Sequence, residues 1–145
     1  SRVIVLEPVY DAFIRRLVEA TKSLNIGPAE LPGTQVGPVI DNAAFKRIQE
    51  YIEIGKKEAE LALETPAPEK GYFISPTIFS EVKPTATITQ EEIFGPVLSV
   101  IRVSNFEEAI AVANGTNFAL TGGLYSRTPS HIEKAQAEFE VGNLY

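Results

Sequence analysis

The chain has 145 residues, 44% hydrophobic and 22% charged, with a net charge of −6. That length suffices for one domain, which buries about 70% of its unfolded surface. The acidic balance argues against a nucleic-acid or anionic-membrane partner, since both need a basic face. There is no cysteine, which excludes disulfides, thiolate metal sites and a cysteine nucleophile within these residues.

No apolar run is long enough to cross a bilayer, and no signal-peptide pattern opens the chain. Methionine is absent, and Ser1 leads straight into strand-like sequence. These features suggest a piece of a longer polypeptide, a processed mature protein being the alternative. Arg2-Val3-Ile4-Val5-Leu6 is a β-branched run and predicts a buried strand. Pro8 suits the first turn of a helix. Val9, Phe13, Leu17 and Leu24, with Ile14 and Val18, recur at helical spacing and predict an amphipathic helix to residue 24. Gly27-Pro28, Pro32-Gly33 and Gly37-Pro38 predict a loop over 25–39. Asp41 is the expected N-cap of a second helix, with Phe45, Ile48, Ile52 and Ala59 as its buried stripe.

Residues 59–63 fit either an extension of that helix or a short strand, and 65–71 read as a loop. Tyr72-Phe73-Ile74 and Thr77-Ile78-Phe79 read as extended, with Pro76 pointing to a sheet edge or an irregular segment. Residues 97–103 predict a further strand. Asn105-Phe106-Glu107-Glu108 has the spacing of a capping box. The helix it opens is expected to bury Phe106, Ala109, Ile110 and Ala113 and to stop in a left-handed turn at Asn114-Gly115. Residues 119–125 predict a strand, with Gly122-Gly123 implying close backbone approach. Thr128-Pro129 opens a fourth helix with Ile132, Ala135 and Phe139 inward, and 142–145 begin another strand. Strands alternating with helices predict an α/β fold with parallel crossovers, one domain over 1–145.

Gln90-Glu91-Glu92-Ile93-Phe94-Gly95-Pro96-Val97 holds the strongest candidate for chemistry. The Glu92 carboxylate can accept two hydrogen bonds from the vicinal hydroxyls of a ribose. Phe94 can supply an apolar wall, and Gly95-Pro96 turns the chain into the next strand. A purely structural role competes: Thr89-Gln90-Glu91-Glu92 is itself a capping-box pattern, and spacing alone favours that role. Glu91 and Glu92 do not read as a hydrolytic pair, because adjacent helical residues point about 100° apart. Glu91 is expected to be a solvated neighbour. His131, the only histidine, has no companion for a metal or nucleophile and is expected on the surface or in packing. Lys46 and Arg47 at the start of the second helix could reach a cofactor hydroxyl or phosphate, but a solvated face is preferred. Gly33-Thr34-Gln35-Val36-Gly37 lacks the lysine of a phosphate-binding loop.

The octapeptide resembles the glutamate-phenylalanine-glycine-proline segment of the aldehyde dehydrogenase superfamily. The likeness runs along the whole chain, through Val36-Gly37-Pro38-Val39-Ile40-Asp41, Gly71-Tyr72-Phe73-Ile74-Ser75-Pro76-Thr77-Ile78, and Ala113-Asn114-Gly115-Thr116 followed by Leu120-Thr121-Gly122-Gly123-Leu124. Phe118 to Ser126 and the closing Val141-Gly142-Asn143-Leu144-Tyr145 resemble the 1-pyrroline-5-carboxylate dehydrogenases. The resemblance implies a parallel-sheet part of a catalytic domain, with NAD as cofactor, Glu92 on the nicotinamide ribose and Phe94 packed beside it. It implies an enzyme in which a cysteine thiolate, absent here, attacks a small-molecule aldehyde; hydride passes to NAD and water releases the acid. The implied reaction takes L-glutamate γ-semialdehyde to glutamate in proline catabolism. The parent is expected to be a homo-oligomer, cytoplasmic or in the mitochondrial matrix of a eukaryote, and this piece is expected to be inactive alone. Another aldehyde dehydrogenase, such as a succinate-semialdehyde type, and a non-catalytic α/β binding module are the alternatives.

Overall fold

In a computed structural model covering residues 1–145, the two β-branched runs become β1 (Arg2–Leu6) and β4 (Val97–Val103). They pair in parallel, from Arg2 opposite Ser99 to Leu6 opposite Val103. β3 (Thr77–Ser80) lies parallel on the other side of β4, and β2 (Glu60–Glu64) closes the sheet antiparallel to β3. The strand order is therefore β1-β4-β3-β2. Parallel neighbours need long crossovers, which here carry the helices: α1 (Glu7–Lys22), α2 (Asn42–Glu58), the single turn α3 (Thr87–Gln90), and beyond the sheet α4 (Phe106–Asn114) and α5 (Pro129–Glu138). A parallel pair of two-residue strands, β5 (Thr121–Gly122) and β6 (Asn143–Leu144), stands apart.

The sheet is covered on both faces, as a parallel sheet requires. Alternation along β4 divides the core. Val97, Ile101 and Val103 join Ile48 and Ile52 of α2 with Phe79, Ile88 and Ile93. Val100 and Leu98 face the other way, toward Tyr10, Phe13, Ile14 and Leu17 of α1. A third cluster, Phe106, Ile110 and Ala135, holds α4 against α5.

Several expectations need correction. β3 is interior although Pro76 precedes it. The missing proline N–H falls just outside the ladder, and the first ladder donor is Thr77 N to Pro96 O at 2.9 Å; β2 takes the edge instead. Tyr72-Phe73-Ile74 joins no strand. On α1 the inward residue is Tyr10 at 2% exposure, while Val9 is exposed, and the helix ends at Lys22. Residues 60–64 take the strand alternative. The capping box of α4 is shifted: Asn105 accepts from Glu108 N at 2.9 Å, but Glu108 reaches back to Ser104 N at 2.7 Å, one residue early. Gly115 is not left-handed, with φ −74° and ψ 47°. Arg2 finishes α4 in its place, donating to the carbonyls of Val112 and Ala113 at 3.1 and 3.0 Å, while the Asn114 side chain ties this end to the end of α5, donating to Glu138 O and accepting from Glu140 N. Such donors satisfy the orphan carbonyls of a helix end without glycine. The strand expected over 119–125 shrinks to β5, and Ile132 faces outward. The close approach foreseen at Gly122-Gly123 is present, with the Phe139 ring packed on Gly122.

Candidate functional site

Residues 91–96 link α3 to β4, and both ends are tied down. α3 has only four residues and lacks a side-chain cap of its own. Its start is held by Glu58 at the end of α2, which accepts from Thr87 Oγ1 at 2.6 Å and from Ile88 N at 3.4 Å. Burial pushes the Glu58 carboxyl up, but the three hydrogen bonds from Thr87 and Ile88 outweigh it and leave the group below its ordinary value. Thr89 donates to Ala86 O at 2.7 Å, and Ser99 of β4 donates to Ile88 O at 3.2 Å. Gln90 Nε2 lies 2.6 Å from Pro84 O and 2.9 Å from Gly115 O, joining this turn to the end of α4.

The segment then alternates between held and free side chains. Glu91 accepts a hydrogen bond from the Tyr51 hydroxyl of α2. Ile93 is 2% exposed and belongs to the main core. Gly95 lies so close to α2 that a Cβ there would meet Ile48 Cδ1 at 2.8 Å. Between these points Glu92 and Phe94 face solvent. Phe94 is 75% exposed and holds φ at +55°, in the left-handed region that bulky residues avoid. An aromatic residue kept exposed in a strained backbone is the kind of outlier that marks a functional position.

Glu92 makes no hydrogen bond or ion pair of its own. It does not cap α3, which starts at Thr87 and has Glu91 as its C-cap. It lies beside the start of β1. Its carboxylate acts electrostatically on Ser1, the residue before β1. Glu91 and Glu92 therefore do not act as a pair, since Glu91 is turned onto Tyr51. Glu91 is more than a solvated neighbour, and Tyr51, Glu58 and Gln90 went unnoticed in the sequence. Their partners lie 40, 29 and 25 residues away, and no local pattern carries such a pairing.

Lys46 and Arg47 are exposed on α2 and form no ion pair, the solvated face expected. His131 stacks on Phe106 with centroids 4.1 Å apart and planes 5° from parallel, a packing role. No group of three or more histidine and carboxylate side chains is placed to hold a metal. No helix is long and apolar enough to cross a membrane.

The model of the aldehyde dehydrogenase family matches residues 1–145. The chain belongs to that family. It is 49% identical over 146 residues to the 1-pyrroline-5-carboxylate dehydrogenase of Geobacillus thermodenitrificans, covering 100% of this chain and 28% of that protein. The 1-pyrroline-5-carboxylate dehydrogenase 2 of Bacillus subtilis is 47% identical with the same coverage. The chain thus spans just over a quarter of the length of these relatives. Among solved structures, 1-pyrroline-5-carboxylate dehydrogenase from Thermus with bound NAD superposes with a TM-score of 0.96 at 49% identity, over 100% of this chain and 28% of that one. Proline utilization A from Bdellovibrio bacteriovorus gives 0.98 at 49% identity, over 100% of this chain and 15% of that one. The α/β fold with a largely parallel sheet is that of an aldehyde dehydrogenase segment.

Proposed function

We propose that this chain supplies the nicotinamide-ribose end of an NAD site, in an enzyme that oxidises L-glutamate γ-semialdehyde to glutamate. One observation carries the reading. Glu92 is exposed with both carboxyl oxygens unengaged, beside the strained, exposed Phe94. A free carboxylate next to an exposed ring fits a ribose and its attached heterocycle: vicinal hydroxyls donate to the two oxygens, and the ring gives the apolar wall. The substrate assignment draws on relatives described as 1-pyrroline-5-carboxylate dehydrogenases at 43–49% identity.

NAD, when bound, supplies the hydride acceptor. The chain's own residues orient it. Glu92 fixes the sugar, Phe94 limits tilt of the attached ring, and the buried Ile93 between them keeps their separation constant. Orientation of this kind lowers the barrier by removing motions that the reacting pair would otherwise have to give up. With no cysteine here, the thiolate that attacks the aldehyde in this reading comes from another part of the whole protein.

Replacing Glu92 by Gln in the full-length enzyme tests the assignment. An amide keeps one acceptor, so NAD still binds through its remote parts, but the charge-assisted grip is lost. Single-turnover hydride transfer is expected to slow by about tenfold or more, with a smaller change in the NAD dissociation constant. A wild-type rate sinks the assignment.

A further inference from the structure

Three of the residues that hold the 87–95 segment come from one stripe of α2. Ile48 packs under Gly95, Tyr51 donates to Glu91, and Glu58 accepts from Thr87 and Ile88. Positions 48, 51, 55 and 58 fall on one helical face, and the one between, Gly55, admits the Phe79 ring, whose Cζ would lie 2.5 Å from a Cβ there. The contacts run antiparallel: the start of the stripe meets the end of the segment. A rigid helix, rising about 1.5 Å per residue, thus sets the position of the whole turn. Two of its three holds lie at the flanks. Only the bond between Tyr51 and Glu91 acts next to the free carboxylate.

We propose that Tyr51 is a positioning residue for Glu92: its hydroxyl holds the Glu91 side chain against α2, so that the backbone at 91–92 aims the Glu92 carboxylate at the ribose. The inference rests on the ribose assignment and adds a residue to it. Backbone between Glu91 and Ile93 has little freedom once both side chains are held, because Ile93 is locked in the core. Release of Glu91 leaves Glu92 fixed on one side only. The tyrosine suits this task at working pH. Its hydrogen bond to Glu91, with burial and the Glu91 charge adding to it, raises the phenol above its ordinary value, so the donor proton stays in place.

The test uses the full-length enzyme and two readouts, single-turnover hydride transfer and the NAD dissociation constant. Tyr51→Phe and Glu91→Ala are each expected to slow hydride transfer about 3- to 10-fold, with the dissociation constant changed less than about twofold. Glu91→Gln retains an acceptor for the hydroxyl and is expected to recover most of the rate lost in Glu91→Ala. In a Glu92→Gln background, Tyr51→Phe is expected to add nothing, because its effect passes through Glu92. If Glu92→Gln is slow but Tyr51→Phe transfers hydride at the wild-type rate, the positioning role is overturned and the ribose assignment stands. If the two substitutions multiply independently, Tyr51 acts by some other route and the inference is also overturned. If Glu92→Gln itself is normal, the ribose assignment fails first.

Discussion

Phe94 is a residue that folding alone does not account for. Its backbone stands at φ +55°, yet its ring is 75% exposed. A left-handed conformation costs a non-glycine residue about 1–2 kcal/mol, and an exposed ring recovers little of that by burial. Folding alone would place glycine or asparagine here. The expected outcome is an inverted ranking: Phe94→Gly should be more stable than Phe94→Ala by about 1 kcal/mol, although alanine is normally the safer replacement. Urea midpoints of the two variants check this, and an alanine variant at least as stable would show that the turn relaxes. Under the proposed ribose reading, either substitution in the full-length enzyme should also slow hydride transfer. Glu92 and Phe94 were legible in the sequence as residue types, but nothing in the sequence announced the positive φ. Glycine and proline follow Phe94, and the geometry is imposed by the neighbours at Ile93 and Gly95.

At the scale of elements, α2 carries the most weight. Its start was legible because capping is local: Asp41 accepts from Ala44 N at 2.7 Å, three residues on. β1 and β4 were legible from their composition for the same reason. Its role as a template was not, since that depends on side chains far apart in the chain. The same divide explains the misread stop at Gly115, where Arg2 completes the helix from a distance, and the misplaced β3, where Pro76 sits one residue outside the ladder. Two predictions follow from α2. A Cβ at Gly95 would lie 2.8 Å from Ile48 Cδ1, and Ile48 is 0% exposed with nowhere to move. Gly95→Ala should therefore cost about 1–3 kcal/mol, and Ile48→Val should return part of it by removing one methyl group. Equal urea midpoints for Gly95→Ala and wild type would refute the close packing.

The second concerns Glu58 and pH. Its folded-state value is depressed relative to the unfolded chain. Its contribution is therefore full above the unfolded value of about 4.3 and is lost as pH falls through the lower folded value. Glu58→Gln should be less stable than wild type at pH 6, and the difference should close as acid protonates the wild-type carboxyl. Urea midpoints at several pH values between 6 and 3 measure it, and a gap that stays constant would rule out the carboxylate as the hold on α3.

For the molecule as a whole, the question is how much function these residues carry alone. Ile40, Leu120, Tyr125 and Tyr145 are exposed by 91, 84, 99 and 73%. β1 lies at an open edge of the sheet. Apolar side chains and a free strand edge of this kind ask for cover, and the relatives are more than three times as long as this chain. A ribose grip lowers a barrier only for reactants already held together; it cannot replace a nucleophile, and no thiol exists here to form a covalent adduct with an aldehyde. The purified chain, given NAD and L-glutamate γ-semialdehyde, is expected to produce no NADH above the rate without protein, as followed by absorbance. The full-length enzyme under the same conditions is expected to turn over. Steady NADH formation by the chain alone would mean that its own groups activate the aldehyde, and the division of labour drawn from Glu92 and the missing cysteine would have to be abandoned.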